Sequence, residues 1–153
     1  MCGEPTDHGG WAAILMNDVK KLELSGGETS TTNNAMELKA IIRALQALKV
    51  PSEVDLYSDS AYVVNAINEN WVYSWKRNGW RNSNKKPVAN QNLWLELDRL
   101  TKIHRVYFYK VKGHSDNEYN NRCDELAVAE SKKYSLLEEQ INDVKNYLTH
   151  KMV

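Results

Sequence analysis

The chain is poor in the features that cross-link or anchor a protein. Its 153 residues include two cysteines, Cys2 and Cys123, too few and too isolated for a disulfide framework or a zinc site. A reducing cytoplasm is therefore the expected compartment. No apolar run approaches membrane-spanning length, and the amino end lacks the basic flank and apolar stretch of a secretory signal. Net charge is missing too. Twenty Lys and Arg cancel twenty Asp and Glu, so the total argues for no polyanionic partner. Nor is there an internal repeat or a low-complexity linker.

What is there suits one soluble globular domain, with 42% apolar and 26% charged residues. The neutral total hides an uneven distribution. Between Trp75 and Lys86 the chain carries Lys76, Arg77, Arg81, Lys85 and Lys86 and no acid, whereas acids are denser beyond Glu118. Basic patches are how proteins hold phosphate backbones.

Hydrophobic patterning gives the elements. The apolar run Gly10 to Met16, polar Asn17-Asp18 and a loosely alternating Val19 to Ser25, closed by Gly26-Gly27, predict a β-hairpin. Asn33 or Asn34 is the expected cap of a helix whose stripe is Leu38, Ile41, Ile42, Leu45 and Leu48, ending shortly before Pro51. Val54 to Ser58 is a strand ending at Asp59, and Ser60 to Asn68 a short helix. Asn90 to Lys102 aligns Leu93, Trp94, Leu97 and Leu100 on one helical stripe, and Val106 to Val111 is a second strand. A helix is expected from about Glu118 to Lys133. A further one carries Leu137, Ile141, Val144 and Leu148 behind a capping-box pair, Ser135 and Glu138. This order predicts an α/β layered domain.

Three carboxylates stand out. Asp59 ends a strand, where open α/β folds place their ligands. Glu37 is expected in the first turn of one helix and Asp124 early in another. Several acids converging without Cys or paired His suit hard, oxygen-preferring Mg²⁺ or Mn²⁺. Each acid alone has an ordinary explanation, as a dipole complement near a helix start or as a turn residue. Their local contexts together outweigh those explanations.

Those contexts are Thr31-Thr32-Asn33-Asn34 with Met36-Glu37-Leu38, Tyr57-Ser58-Asp59-Ser60 with Tyr62-Val63, and Val111-Lys112-Gly113-His114 followed by Asn121-Arg122-Cys123-Asp124-Glu125-Leu126-Ala127. With the basic stretch Trp71 to Asn90, holding Trp75-Lys76, Gly79-Trp80 and Lys85-Lys86-Pro87-Val88, they resemble the ordered motifs of the type 1 (bacterial) ribonuclease H family over roughly residues 9 to 133. The resemblance implies a ribonuclease H-like mixed sheet flanked by helices, and hydrolysis of the RNA strand of an RNA–DNA hybrid by a monomer using two divalent ions. Glu37, Asp59 and Asp124 would be metal ligands, with Mg²⁺ expected and Mn²⁺ possible, and His114 would assist proton movement or product release. Thr32 and Asn34 would touch substrate. The family's basic handle corresponds to the segment bearing Trp75, Lys76, Trp80, Lys85 and Lys86, with the tryptophans mainly holding its shape. Ala61 stands where the family often has a glutamine, so one substrate contact is expected to be absent.

The family opens with a central strand ending in Asp-Gly. Cys2 lies seven residues before Gly9, the family's spacing, which puts that first aspartate two positions before Met1. The chain as it reads is therefore expected to lack the first strand and one ligand, to leave neighbouring strands unpaired, and to cleave hybrid poorly. The alternative function is then a catalytically impaired hybrid-binding domain or a truncated product. Two units follow: a ribonuclease H-like domain over 1–134 and a C-terminal helical extension over 135–153.

Overall fold

The computed structural model describes residues 6–17, 19–111, 118–119 and 121–133. Strands β1 (Thr6–Met16) and β2 (Lys21–Thr31) form an antiparallel hairpin. Its turn is held by Asn17, whose Oδ1 accepts from the Val19 and Lys20 amides at 2.9 and 2.7 Å. The hairpin is longer than the sequence suggests, because β2 runs on through Gly26-Gly27. A Cβ on Gly26 would lie 2.7 Å from the Trp11 ring. That glycine therefore makes room for a cross-strand tryptophan and does not end the strand.

Helix α1 (Asn33–Gln46) follows. Its cap is Thr32, extended at φ −120° and ψ 159°, whose hydroxyl accepts from the Ala35 amide at 3.1 Å, and not Asn33 or Asn34 as expected. Both asparagines lie inside the helix. Leu38, Ile41, Ile42 and Leu45 are buried, so the stripe read from the sequence is the core face. Strand β3 (Glu53–Ser58) pairs in parallel with β4 (Arg105–Lys110), aligning Val54 with Val106 and Leu56 with Phe108. Between them lie α2 (Ala61–Asn68), capped by Ser60, α3 (Trp71–Arg77) and α4 (Gln91–Ile103). Residues 121–133 form α5.

The core joins α1, α2 and α4 to the inner face of β3–β4 around Trp94, which is 1% exposed. Burying a side chain of that size contributes on the order of 2–3 kcal/mol. Trp94 Nε1 donates to the Tyr62 hydroxyl at 2.9 Å, so its polar edge is not stranded. Helix α1 also packs on both strands of the hairpin. The two strand pairs are separate sheets, β1–β2 and β3–β4. Among the described residues no strand joins β1 to β3. None of the described helices is long and apolar enough to cross a membrane. The expected helix over 135–153 lies outside the described residues.

Candidate active site

Asp59 directly follows β3. The turn behind it is fixed by two serines: the Ser58 hydroxyl accepts from the Ser60 amide at 3.1 Å, and the Ser60 hydroxyl from the Val63 amide at 3.3 Å. A strand end and a helix start are thus locked around the carboxylate. Glu37 is the fifth residue of α1, not in its first turn as expected. The helix dipole fades within the first turn, so complementing it does not account for this acid. Glu37 sits beside Met36, which packs against Gly9 of β1.

The three acids share one electrostatic environment. Burial pushes the Glu37 carboxyl up to about 7, and the negative charges of Asp59 and Asp124 push it in the same direction. Residues far apart in sequence are therefore neighbours in space. Among the described residues no three His, Cys, Asp or Glu side chains close into a ready-made metal cage. The charges of Asp59 and Asp124 nevertheless act on Glu37, so the three carboxylates border one region.

Asp124 is brought to this place by the docking of α5 on the hairpin. Successive strand residues face opposite sides of a sheet. A Cβ on Gly9 would meet Thr31 and Met36, on the side of α1, whereas a Cβ on Gly10 would overlap the Ala127 carbonyl oxygen of α5. The hairpin is thus sandwiched between α1 and α5, and the absence of a side chain at Gly10 lets the backbone of α5 touch the strand. Arg122 makes a two-pronged bond to Glu23, at 2.7 and 3.3 Å, and Ser25 donates to Glu130 at 3.0 Å. Beside Asp124, burial pushes the Cys123 thiol up to about 11, aided by the Asp124 charge, while the Ile14 backbone amide donates to it. Cys123 is a neutral packing residue at the strand–helix contact.

The basic segment divides into an inner and an outer part. Trp75 meets Trp94 edge-on with ring centroids 5.3 Å apart, and both Trp75 and Trp80 pack against the core cluster. Lys76 is paired with Asp98 of α4 at 3.1 Å. Lys85 and Lys86 are exposed at the tip and make no ion pair among the described residues. Asn82 organises that tip by accepting from the Asn84 and Lys86 amides at 2.9 and 3.1 Å. Thr32 and Asn34 are half-buried at the start of α1, a turn or less from Glu37. His114 lies outside the described residues.

Sequence reasoning missed Gly10, Arg122 with Glu23, and the ion pair between Lys39 of α1 and Glu28 of β2. The Gly9-Gly10 pair was the available signal for a close helix approach. The partners of Arg122 and Lys39 depend on tertiary placement that periodicity does not contain.

A family model described as RNase H matches residues 1–132. The chain is 62% identical over 133 residues to a ribonuclease H of Acetivibrio thermocellus, spanning 87% of this chain and 90% of that protein. It is 56% identical over 134 residues to a ribonuclease H of Chlorobaculum parvum, spanning 88% and 92% respectively. Among solved structures, a ribonuclease H1 crystallised with an RNA/DNA hybrid superposes with a TM-score of 0.63 at 23% identity, covering 86% of this chain and 90% of that one.

Proposed function

The chain belongs to the ribonuclease H family, and we propose that it is an endonuclease hydrolysing the RNA strand of RNA–DNA hybrids, with Glu37, Asp59 and Asp124 holding divalent ions. The observation that carries this reading is the convergence of three acids from α1, the end of β3 and α5: burial first, and then the charges of Asp59 and Asp124, push the Glu37 carboxyl up to about 7. An all-oxygen, multiply anionic donor set with no thiolate or imidazole suits Mg²⁺, with Mn²⁺ as a substitute. Divalent ions held by Glu37, Asp59 and Asp124 would supply activation of a water and stabilisation of the leaving oxygen of a phosphodiester. The relatives named ribonuclease H, which this chain matches over about nine-tenths of their length, favour an active nuclease over an impaired hybrid-binding domain.

The chain's own residues then bind and orient. The Thr32 hydroxyl accepts from the Ala35 amide, which leaves its O–H to donate to a substrate oxygen. Asn34 beside it offers both a donor and an acceptor, the combination that reads a 2′-hydroxyl and so separates RNA from DNA. Lys85 and Lys86 contact phosphates of the hybrid, with Trp75 and Trp80 as the buried footing of that segment. His114 moves a proton or assists product release. The nuclease unit spans 1–134 and acts as a monomer in the cytoplasm, with 135–153 as an extension.

The test is cleavage of a hybrid labelled on either strand by the full-length protein in Mg²⁺. The RNA strand is cut and the DNA strand spared, and Asp59→Asn reduces the rate at least a hundredfold with the fold intact by circular dichroism. Full activity of that variant would sink the assignment.

A further inference from the structure

The tip of the basic segment is a tight loop. Arg81 and Pro87 form an antiparallel bridge, and inside it the Asn82 amide donates to the Lys86 carbonyl at 2.8 Å. The Lys85 amide donates back to the Asn82 carbonyl at 2.9 Å. Residues 83–85 are thus a three-residue hairpin loop, whose last position favours glycine because its backbone is left-handed. That position here is Lys85, at φ +61°. For a residue with a side chain, the left-handed region is disfavoured by about five- to thirtyfold against ordinary backbone. A glycine would escape that penalty, yet the loop carries a lysine.

Asn82 holds the lysine there. Its Oδ1 accepts from the Asn84 amide at 2.9 Å and from the Lys86 amide at 3.1 Å, so one oxygen grips the amides on both sides of Lys85. Arg81 secures the same residue from behind, its Nη1 donating to the Lys85 carbonyl at 2.9 Å. The other cations of the segment are engaged. Lys76 pairs with Asp98, the Arg77 guanidinium lies 5.9 Å from the Tyr73 ring centroid, and Arg81 is bonded to the loop. Lys85 and Lys86 are exposed and make no ion pair among the described residues. A strained conformation kept in place by its neighbours is a mark of function.

We propose that Asn82 is a positioning residue for hybrid binding. Its carboxamide oxygen locks the left-handed turn that presents the Lys85 and Lys86 ammonium groups as a fixed pair, and it touches no phosphate itself. The proposal rests on the reading that these two lysines contact the hybrid. Side chains on a fixed loop lose less freedom on binding than the same side chains on a loose one, so Asn82 strengthens the grip without adding charge.

A double-mutant cycle in the full-length protein tests this, with KM and kcat measured on a labelled hybrid for N82A, K85A/K86A and the triple variant. N82A should raise KM about fivefold or more, the lower end of the left-handed penalty. Its kcat should stay within about twofold, which also shows that the domain is folded. K85A/K86A should raise KM too, and adding N82A to it should change KM by less than about twofold, since no ammonium pair is left to position. Asn82→Ser, whose hydroxyl accepts in the same kind of turn, should recover most of the loss. An unchanged KM in N82A, beside a raised one in K85A/K86A, would overturn the proposal. So would an equal rise from N82A in both backgrounds, which would make Asn82 a direct contact or a general support of the fold. A KM that K85A/K86A leaves unchanged would remove the reading of the lysines, and the proposal with it.

Discussion

Replacing Glu37 with Gln should stabilise the metal-free protein while removing its activity. The folded-state carboxyl titrates at about 7 against an ordinary 4.5, through burial and then the charges of Asp59 and Asp124. Below pH 4.5 the group is neutral in both states and costs nothing. Between pH 4.5 and 7 the unfolded chain gives up the proton first, so stability falls as pH rises, and above 7 the loss is complete. At about 1.4 kcal/mol per pH unit the full loss is about 3 kcal/mol. Gln keeps the shape and cannot ionise. In EDTA at pH 8, E37Q should therefore melt about 6–12 °C higher, at about 2–4 °C per kcal/mol for a chain of this size. At pH 5 the gain should shrink to under about 1 kcal/mol. Mg²⁺ should raise the Tm of the unaltered protein more than that of the variant, because the cation offsets the repulsion the variant already lacks. Scanning calorimetry at the two pH values, with and without Mg²⁺, reads all of this. A variant no more stable than the parent at pH 8, or equally more stable at both pH values, would refute the picture of a buried Glu37 carboxyl set beside the charges of Asp59 and Asp124.

Gly10→Ala forces a methyl group into the Ala127 carbonyl, so urea denaturation should show a loss of about 1–3 kcal/mol, with slower cleavage as α5 and Asp124 shift. An unchanged stability would mean that α5 does not rest on β1. Neutralising Lys85 and Lys86 together should flatten the log–log salt dependence of hybrid binding by about 1.5–2. Lys76→Ala should flatten it less, since Asp98 already pairs with that lysine; equal effects would contradict the division of the basic segment. Tyr62→Phe removes the acceptor of Trp94 Nε1 and Asn90 Nδ2, and leaving that buried indole unpaired should cost about 1–3 kcal/mol, again measured in urea.

Much of the fold was legible because it is written in short-range patterns. The α1 and α4 stripes, the β-branched and aromatic strands and the α2 helix all came from periodicity and propensity, and the structure buries the faces so identified. Misreadings arose where a local signal has two meanings. Gly26-Gly27 reads as a turn until the Trp11 ring is seen lying over Gly26. Asn33 and Asn34 are good caps by type, yet Thr32, one residue earlier, has the extended backbone a cap requires. Glu37 looked close to a helix start only because that cap was set too late, and one residue moved it out of the dipole's range. The three candidate acids stood out by their contexts, whereas the nearness of Asp59 and Asp124 to Glu37 and the platform under Asp124 belong to tertiary structure. Arg122 finds Glu23, and α5 finds Gly10, only once the hairpin is formed.

The most direct measurement of the central claim is metal-dependent strand-selective cleavage by the full-length protein and its Asp124→Asn variant. An RNA–DNA hybrid and the matching DNA duplex are the substrates. The account predicts RNA-strand cleavage in Mg²⁺, none in EDTA, none of the DNA duplex, and loss of at least a hundredfold in the variant despite an unchanged circular dichroism spectrum. Cleavage that persists in EDTA, or that survives Asp124→Asn at full rate, would contradict it.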